Sequence, residues 1–140
     1  MDVLTNEILY QKTPQELTAL LYEGLISNLE EAVDLIDQKD FIRTNKKLQK
    51  ANDILHRLGV GIKYEAGPIA EQLDTLYNFM ASQIIKANIH KDKQGVQNVI
   101  KMIQPIASAW NEILKKKTHN QSSFAKKATA YENSIMRTTY

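Results

Sequence analysis

The residues of this 140-residue chain best suited to metal or acid–base chemistry are three histidines, His56, His90 and His119. Asp53-Ile-Leu-His56 puts a carboxylate and an imidazole at a spacing that shares one helix face. A di-iron bundle needs two Glu-x-x-His pairs and two further glutamates, and no second pair occurs. His56 therefore reads as a solvated helix histidine, and neither a metal nor another cofactor is expected. Ser27, Ser82 and Ser108 fall in helical segments with no histidine base held beside them, which leaves no nucleophilic centre. Gly59-Val-Gly61 lacks the lysine and the strand-to-helix setting of a phosphate loop. No catalytic residue is assigned, and the chain does not read as an enzyme.

Lys115-Lys-Lys117 and Lys126-Lys127 have the chemistry to meet phosphates, but three lysines ending a helix complement its macrodipole. Eighteen Lys and Arg against 16 Asp and Glu leave a net charge of only +2, so no nucleic-acid partner is expected. There is no cysteine, hence no disulfide framework or thiol chemistry. No stretch approaches the roughly 20 apolar residues of a membrane span, and no secretory leader precedes the first helix. Asn120-Gln-Ser122 matches the glycosylation triplet, which has no bearing in a chain without a leader. The expectation is a cytoplasmic protein with no stable membrane insertion. With 43% apolar residues, it can bury a core unaided.

The elements are helical throughout. Thr13-Pro-Gln-Glu16 is a capping box with Pro at the first helical position. It opens a stripe through Leu17, Leu20, Leu21, Leu25, Leu29, Ala32, Val33 and Ile36. Gly24 in that helix suggests close approach of a neighbour. Asp40 caps a second helix that carries Phe41, Thr44, Leu48, Ala51, Leu55 and Leu58 on one side and ends at Gly59 and Gly61. Gly67-Pro68 starts a third, in which Ile69, Leu73, Leu76, Tyr77, Met80, Ile84 and Ala87 form the stripe. Phe79, Ile85 and Ile89 lie off it, so this helix has a second apolar surface to satisfy. Asp92 caps a fourth helix running through Val96, Val99, Ile103, Ala107 and Trp110, with Pro105 expected to kink it.

Helices over about 14–37, 40–58, 68–88 and 93–116, joined by short connections, predict an all-α fold: an antiparallel up-down-up-down four-helix bundle. The bundle domain occupies residues 1–117. The tail, 118–140, is polar at first. Phe124, Ala128, Tyr131 and Ile135 then recur at helical spacing, which suggests a short amphipathic fifth helix able to compete for a groove. Tyr22, Tyr77, Met80 and Trp110 belong to an aromatic and methionine set suited either to core or to a surface that takes an amphipathic peptide. Periodicity leaves both readings open.

Four segments, spread over residues 10–114, carry a family resemblance. Thr13-Pro-Gln-Glu-Leu17 followed by Leu21-Tyr22-Glu23-Gly24 resembles the "(T/S)PxEL…LYDG" opening of the flagellin export chaperones, the FliS family. Lys50-Ala-Asn-Asp-Ile-Leu55 resembles their "KAxxII" helix. Ile69-Ala-Glu-Gln-Leu-Asp-Thr-Leu-Tyr-Asn-Phe-Met80 with Ala87-Asn88 resembles "IAxNLxxLYDYMxRRLxxAN", and Ala109-Trp110 resembles "DAW". Asn78 stands in place of the pattern's second Asp, and Ser82-Gln83 in place of its paired arginines.

The resemblance implies a cytoplasmic bundle that binds the disordered C-terminal segment of flagellin, prevents premature polymerisation and docks on the flagellar type III export gate. On that basis Tyr22, Leu25, Ile54, Leu58, Tyr77, Met80, Ile84 and Asn88 are assigned to a flagellin-binding groove, with Asn88 holding peptide backbone. Ile8 and Tyr10 are assigned to capping the groove or docking at the gate. The alternative is a non-catalytic scaffold whose extra apolar face makes a homodimer when no cargo is bound.

Overall fold

The computed structural model describes residues 12–139 apart from Ala66, and the side chains of 12–62 and 67–116. The assignments of Ile8 and Tyr10, and of the side chains of Phe124, Ala128, Tyr131 and Ile135, lie outside the described residues. The elements are α1 (Pro14–Asp37), α2 (Phe41–Glu65), a 3-10 turn (Gly67–Ile69), α3 (Ala70–His90) and α4 (Lys93–Thr139). No strand occurs among the described residues. The fold is all-α, as the periodicity predicts.

Three of the helices, α1, α2 and α4, start where a side chain meets unpaired N–H groups, whereas α3 follows the 3-10 turn with no side-chain cap. Thr13 caps α1: its Oγ1 accepts from the Glu16 N–H at 3.1 Å and donates to the Glu16 carboxylate at 3.2 Å, with Pro14 in the first turn. Asp40 accepts from the Arg43 N–H at 3.2 Å to start α2, and Asp92 accepts from the Gln94 N–H at 3.1 Å to start α4. Lys91 ends α3 with a left-handed backbone (φ 51°). Its ammonium donates to both the carbonyl and the side-chain oxygen of Asn88 at 2.7 Å each, which ties down the helix's last turn.

Neighbouring helices run antiparallel, and cross-helix contacts fix the register. Lys47 Nζ meets Glu31 at 2.6 Å, and Ile54 lies over Gly24, so residues rise along α2 as they fall along α1. Asn88 donates to Asn45 at 2.8 Å, and Asp74 reaches Gly59, which sets α2 and α3 in the same opposed sense. Lys93 pairs with Asp37 at 3.1 Å between α4 and α1. The hydrogen bond from Lys47 holds the Glu31 carboxyl below its ordinary range. The pair therefore contributes above the unfolded carboxyl pKa and is lost as pH falls. Its exposure keeps the contribution to about 1 kcal/mol at most.

The described residues divide into two compact units, at Ser108 and Ala109. In the first, Leu25 and Leu29 of α1, Leu48 and Leu58 of α2, Met80 and Ile84 of α3, and Val96, Val99 and Ile103 of α4 are fully buried. The Tyr22 and Tyr77 hydroxyls are hydrogen-bonded to each other within this core, their rings tilted at 56°. The second unit continues α4, with Ile113 exposed.

Three local expectations differ from the structure. Gly59 and Gly61 do not end α2, which continues to Glu65. A helix-interior glycine costs about 1 kcal/mol against alanine, whereas burying an isoleucine is worth about 1.5–3 kcal/mol, and Ile62 is buried just beyond both glycines. The left-handed turn that follows falls at Gly67, φ +55°. Secondly, α4 continues to Thr139 as one helix, with no separate fifth element. The polar stretch 118–123 holds no glycine or proline, and its residues cost at most about 0.7 kcal/mol each in a helix. Pro105 lies within α4 on an exposed position.

Thirdly, Gly24 does not mark an unusually close approach. A Cβ there would sit 3.5 Å from Ile54 Cδ1, an ordinary contact. A tighter position is Gly95, whose Cβ would stand 3.1 Å from both Ala87 Cβ and Asp92 Oδ2. Gly24→Ala is therefore expected to stabilise the fold by about 0.5–1 kcal/mol. Gly95→Ala is expected to forfeit that gain and lower the melting temperature, because Ala87 is fixed in the α3 core line. Thermal melts of the two variants check this pair.

Candidate functional site

The third helix carries the surface most able to take a partner. At 3.6 residues per turn, or about 100° per residue, Met80, Ile84 and Ala87 share one side and Ile89 lies opposite. The first three are buried. Ile89 is 71% exposed, with Phe79 and Ile85 about half exposed. Ser82 and Lys86 stand among them and are also exposed. Phe41 and Ile42 at the start of α2 are exposed at the same end of the bundle, since the Asn45–Asn88 hydrogen bond aligns that end of α2 with the end of α3. Exposed apolar residues scattered singly are ordinary, but a series along one helix face marks an interaction surface.

The eight residues assigned to a groove from sequence fall elsewhere. Tyr22, Leu25, Leu58, Tyr77, Met80 and Ile84 are at most 2% exposed and lie within the bundle. Ile54 is half-buried between α1 and α2, against Gly24. Asn88 is half-buried, and both ends of its amide are engaged: it donates to Asn45 and accepts from Lys91. The structure thus brings six of the eight together as core. Within α3 the exposed large apolar residues are the off-stripe Phe79, Ile85 and Ile89, while Ile69 of the stripe is exposed in the turn before that helix.

Two clefts flank these helices. Between α1 and α4 is a broad depression of about 560 Å³ with Val33 and Ile100 at its base and Glu30, Asp34, Gln97 and Lys101 around it. Between α2 and α3 is a smaller one of about 220 Å³, where Asn52, His56, Asp74 and Asn78 surround Leu55 and Tyr77. Asn52 Oδ1 is shut off from solvent without a hydrogen-bond partner, at a cost of about 1–3 kcal/mol. Sequence reasoning passed over this cleft by pairing His56 with Asp53, which is exposed. The available signal was Asn52 itself, a polar residue between Leu48 and Leu55 at core spacing.

The structure defines an antiparallel helical-bundle protein with exposed apolar residues on the outer side of α3. It aligns with a crystal structure of a flagellar chaperone from bacteria at a TM-score of 0.68, covering 80% of this chain and 91% of that one at 17% identity. Residues 4–117 match the family described as Flagellar protein FliS, and the chain belongs to that family. The flagellar secretion chaperone FliS of Vibrio cholerae is 35% identical over 72% of this chain and 75% of its own. That of Salmonella typhimurium is 31% identical over 79% and 83%. That of Bacillus subtilis is 26% identical over 73% and 76%. These relatives are chaperones of flagellar export, and among the described residues no helix here is long and apolar enough to cross a membrane.

Proposed function

We propose that this chain is a cytoplasmic flagellin chaperone that binds the disordered C-terminal segment of flagellin, prevents its premature polymerisation and brings it to the flagellar type III export gate. The observation that carries the reading is the outward apolar face of α3, Phe79, Ile85 and Ile89, on a helix whose opposite side is already packed. Flagellin's amphipathic terminal segment would lay its apolar side along that face, as helix-in-groove partners do. Its ordering on binding consumes about 2–5 kcal/mol of the gross interaction energy, which keeps the complex reversible enough for export. Ser82, where the family pattern has an arginine, removes a charge from this face and leaves Lys86 as the charged residue between Phe79 and Ile89.

Seeded polymerisation of flagellin in the presence of the full chain tests the proposal. Equimolar chain is expected to suppress filament growth, and flagellin lacking its C-terminal segment is expected not to be bound. Unimpeded growth contradicts the reading. The same apolar face could instead join two copies of this chain. In that case flagellin peptide leaves the dimer intact instead of dissociating it.

A further inference from the structure

The cleft between α2 and α3 presents two hydrogen-bond acceptors: among the described residues, neither Asn52 Oδ1 nor the Asp74 carboxylate is engaged in a hydrogen bond or ion pair. Asn52 Oδ1 is buried and unpartnered. Asp74 also lines the cleft and forms none of the ion pairs among the described residues. Its Oδ1 lies only 3.0 Å from the position a Cβ would take on Gly59. The carboxylate of α3 is thus laid against bare backbone of α2, where any larger side chain would displace it. Asn78, one turn beyond Asp74, stands exposed at the mouth with a further amide oxygen. A void of about 220 Å³ admits one side chain but not a helix or a strand.

Acceptors at two depths, one of them anionic, over an apolar floor of Leu55 and Tyr77 call for a ligand rich in N–H donors that carries positive charge and tolerates desolvation. Guanidinium meets those terms better than ammonium: it is planar, presents five donors in a fixed fork and is weakly hydrated. We propose that this cleft is a recognition pocket for the arginine side chain of a partner polypeptide, Asp74 pairing with the guanidinium and the Asn52 side chain turning toward the cleft so that its Oδ1, unpartnered in the free chain, accepts from it. This assignment does not depend on the partner being flagellin or on the apolar face of α3.

The test uses the full chain, isotope-labelled, with N-acetyl-arginine methylamide as probe and its neutral citrulline isostere as control, followed by amide NMR. Saturable shifts are expected at the Asn52 and Asn78 side-chain amides and at the Gly59 backbone. Asp74→Asn is expected to weaken binding at least tenfold, as loss of a charge-assisted pair does. Asn52→Leu removes the unmet acceptor, so it is expected to raise the melting temperature while weakening the probe. A merely structural asparagine would lose stability instead. Absent or unsaturable shifts, equal shifts with the citrulline analogue, or unchanged affinity in Asp74→Asn would overturn the assignment and leave the cleft to water.

Discussion

Replacing Ile84 with alanine is expected to destabilise the bundle by about 2–5 kcal/mol, the range for large-to-small changes in a close-packed core. Ile84 is fully buried in the line of Met80 and Ala87, so the change leaves a cavity between helices and not a gap in a docking surface. Against a total stability of about 5–15 kcal/mol, that is enough to unfold part of the population at working temperature. Urea unfolding reads it as a lower midpoint with little change in slope. Ile84→Val, costing about 0.5–1.5 kcal/mol, should recover most of both stability and cargo binding. If Ile84→Ala kept its midpoint yet lost cargo, Ile84 would line a groove after all.

The opposite pattern is expected on the outer face of the same helix. Ile85→Lys with Ile89→Lys should leave the melting temperature nearly unchanged, because both side chains are more than half exposed and basic residues near a helix C-terminus are favoured. Cargo affinity should fall at least tenfold. Burying the exposed parts of the two isoleucines on docking is worth about 1–2 kcal/mol each, and each 1.4 kcal/mol is a factor of about ten. Retained affinity in a folded double variant would move the docking surface elsewhere, and the α1–α4 depression around Val33 and Ile100 would be the next place to look.

These two predictions separate residues that periodicity alone could not. Thr13, Asp40 and Asp92 announce the helix starts because capping is local chemistry, settled within four residues of chain. The stripe through Tyr77, Met80 and Ile84 was equally legible as an apolar face. Whether a face is covered depends on what the rest of the chain lays against it, and three other helices cover this one. Phe79, Ile85 and Ile89 stand out by falling off the stripe, and they are the exposed large apolar residues of α3. Gly59 and Gly61 read as helix stops because a glycine's local cost is visible in sequence, while the burial of Ile62 that outweighs it is a tertiary effect. Gly67, read as part of a helix start, supplies the left-handed turn. The Asn52 and Asp74 cleft exists only through the α2–α3 register, since the two residues are far apart in sequence and meet across the helix pair.

Isothermal titration of the full chain with a peptide of the flagellin C-terminal segment tests the central claim most directly. The account predicts saturable one-to-one binding with a negative heat-capacity change, the mark of apolar burial, and its loss in the Ile85→Lys, Ile89→Lys variant. A folded wild-type chain that shows no heat with that peptide at micromolar concentrations would contradict it.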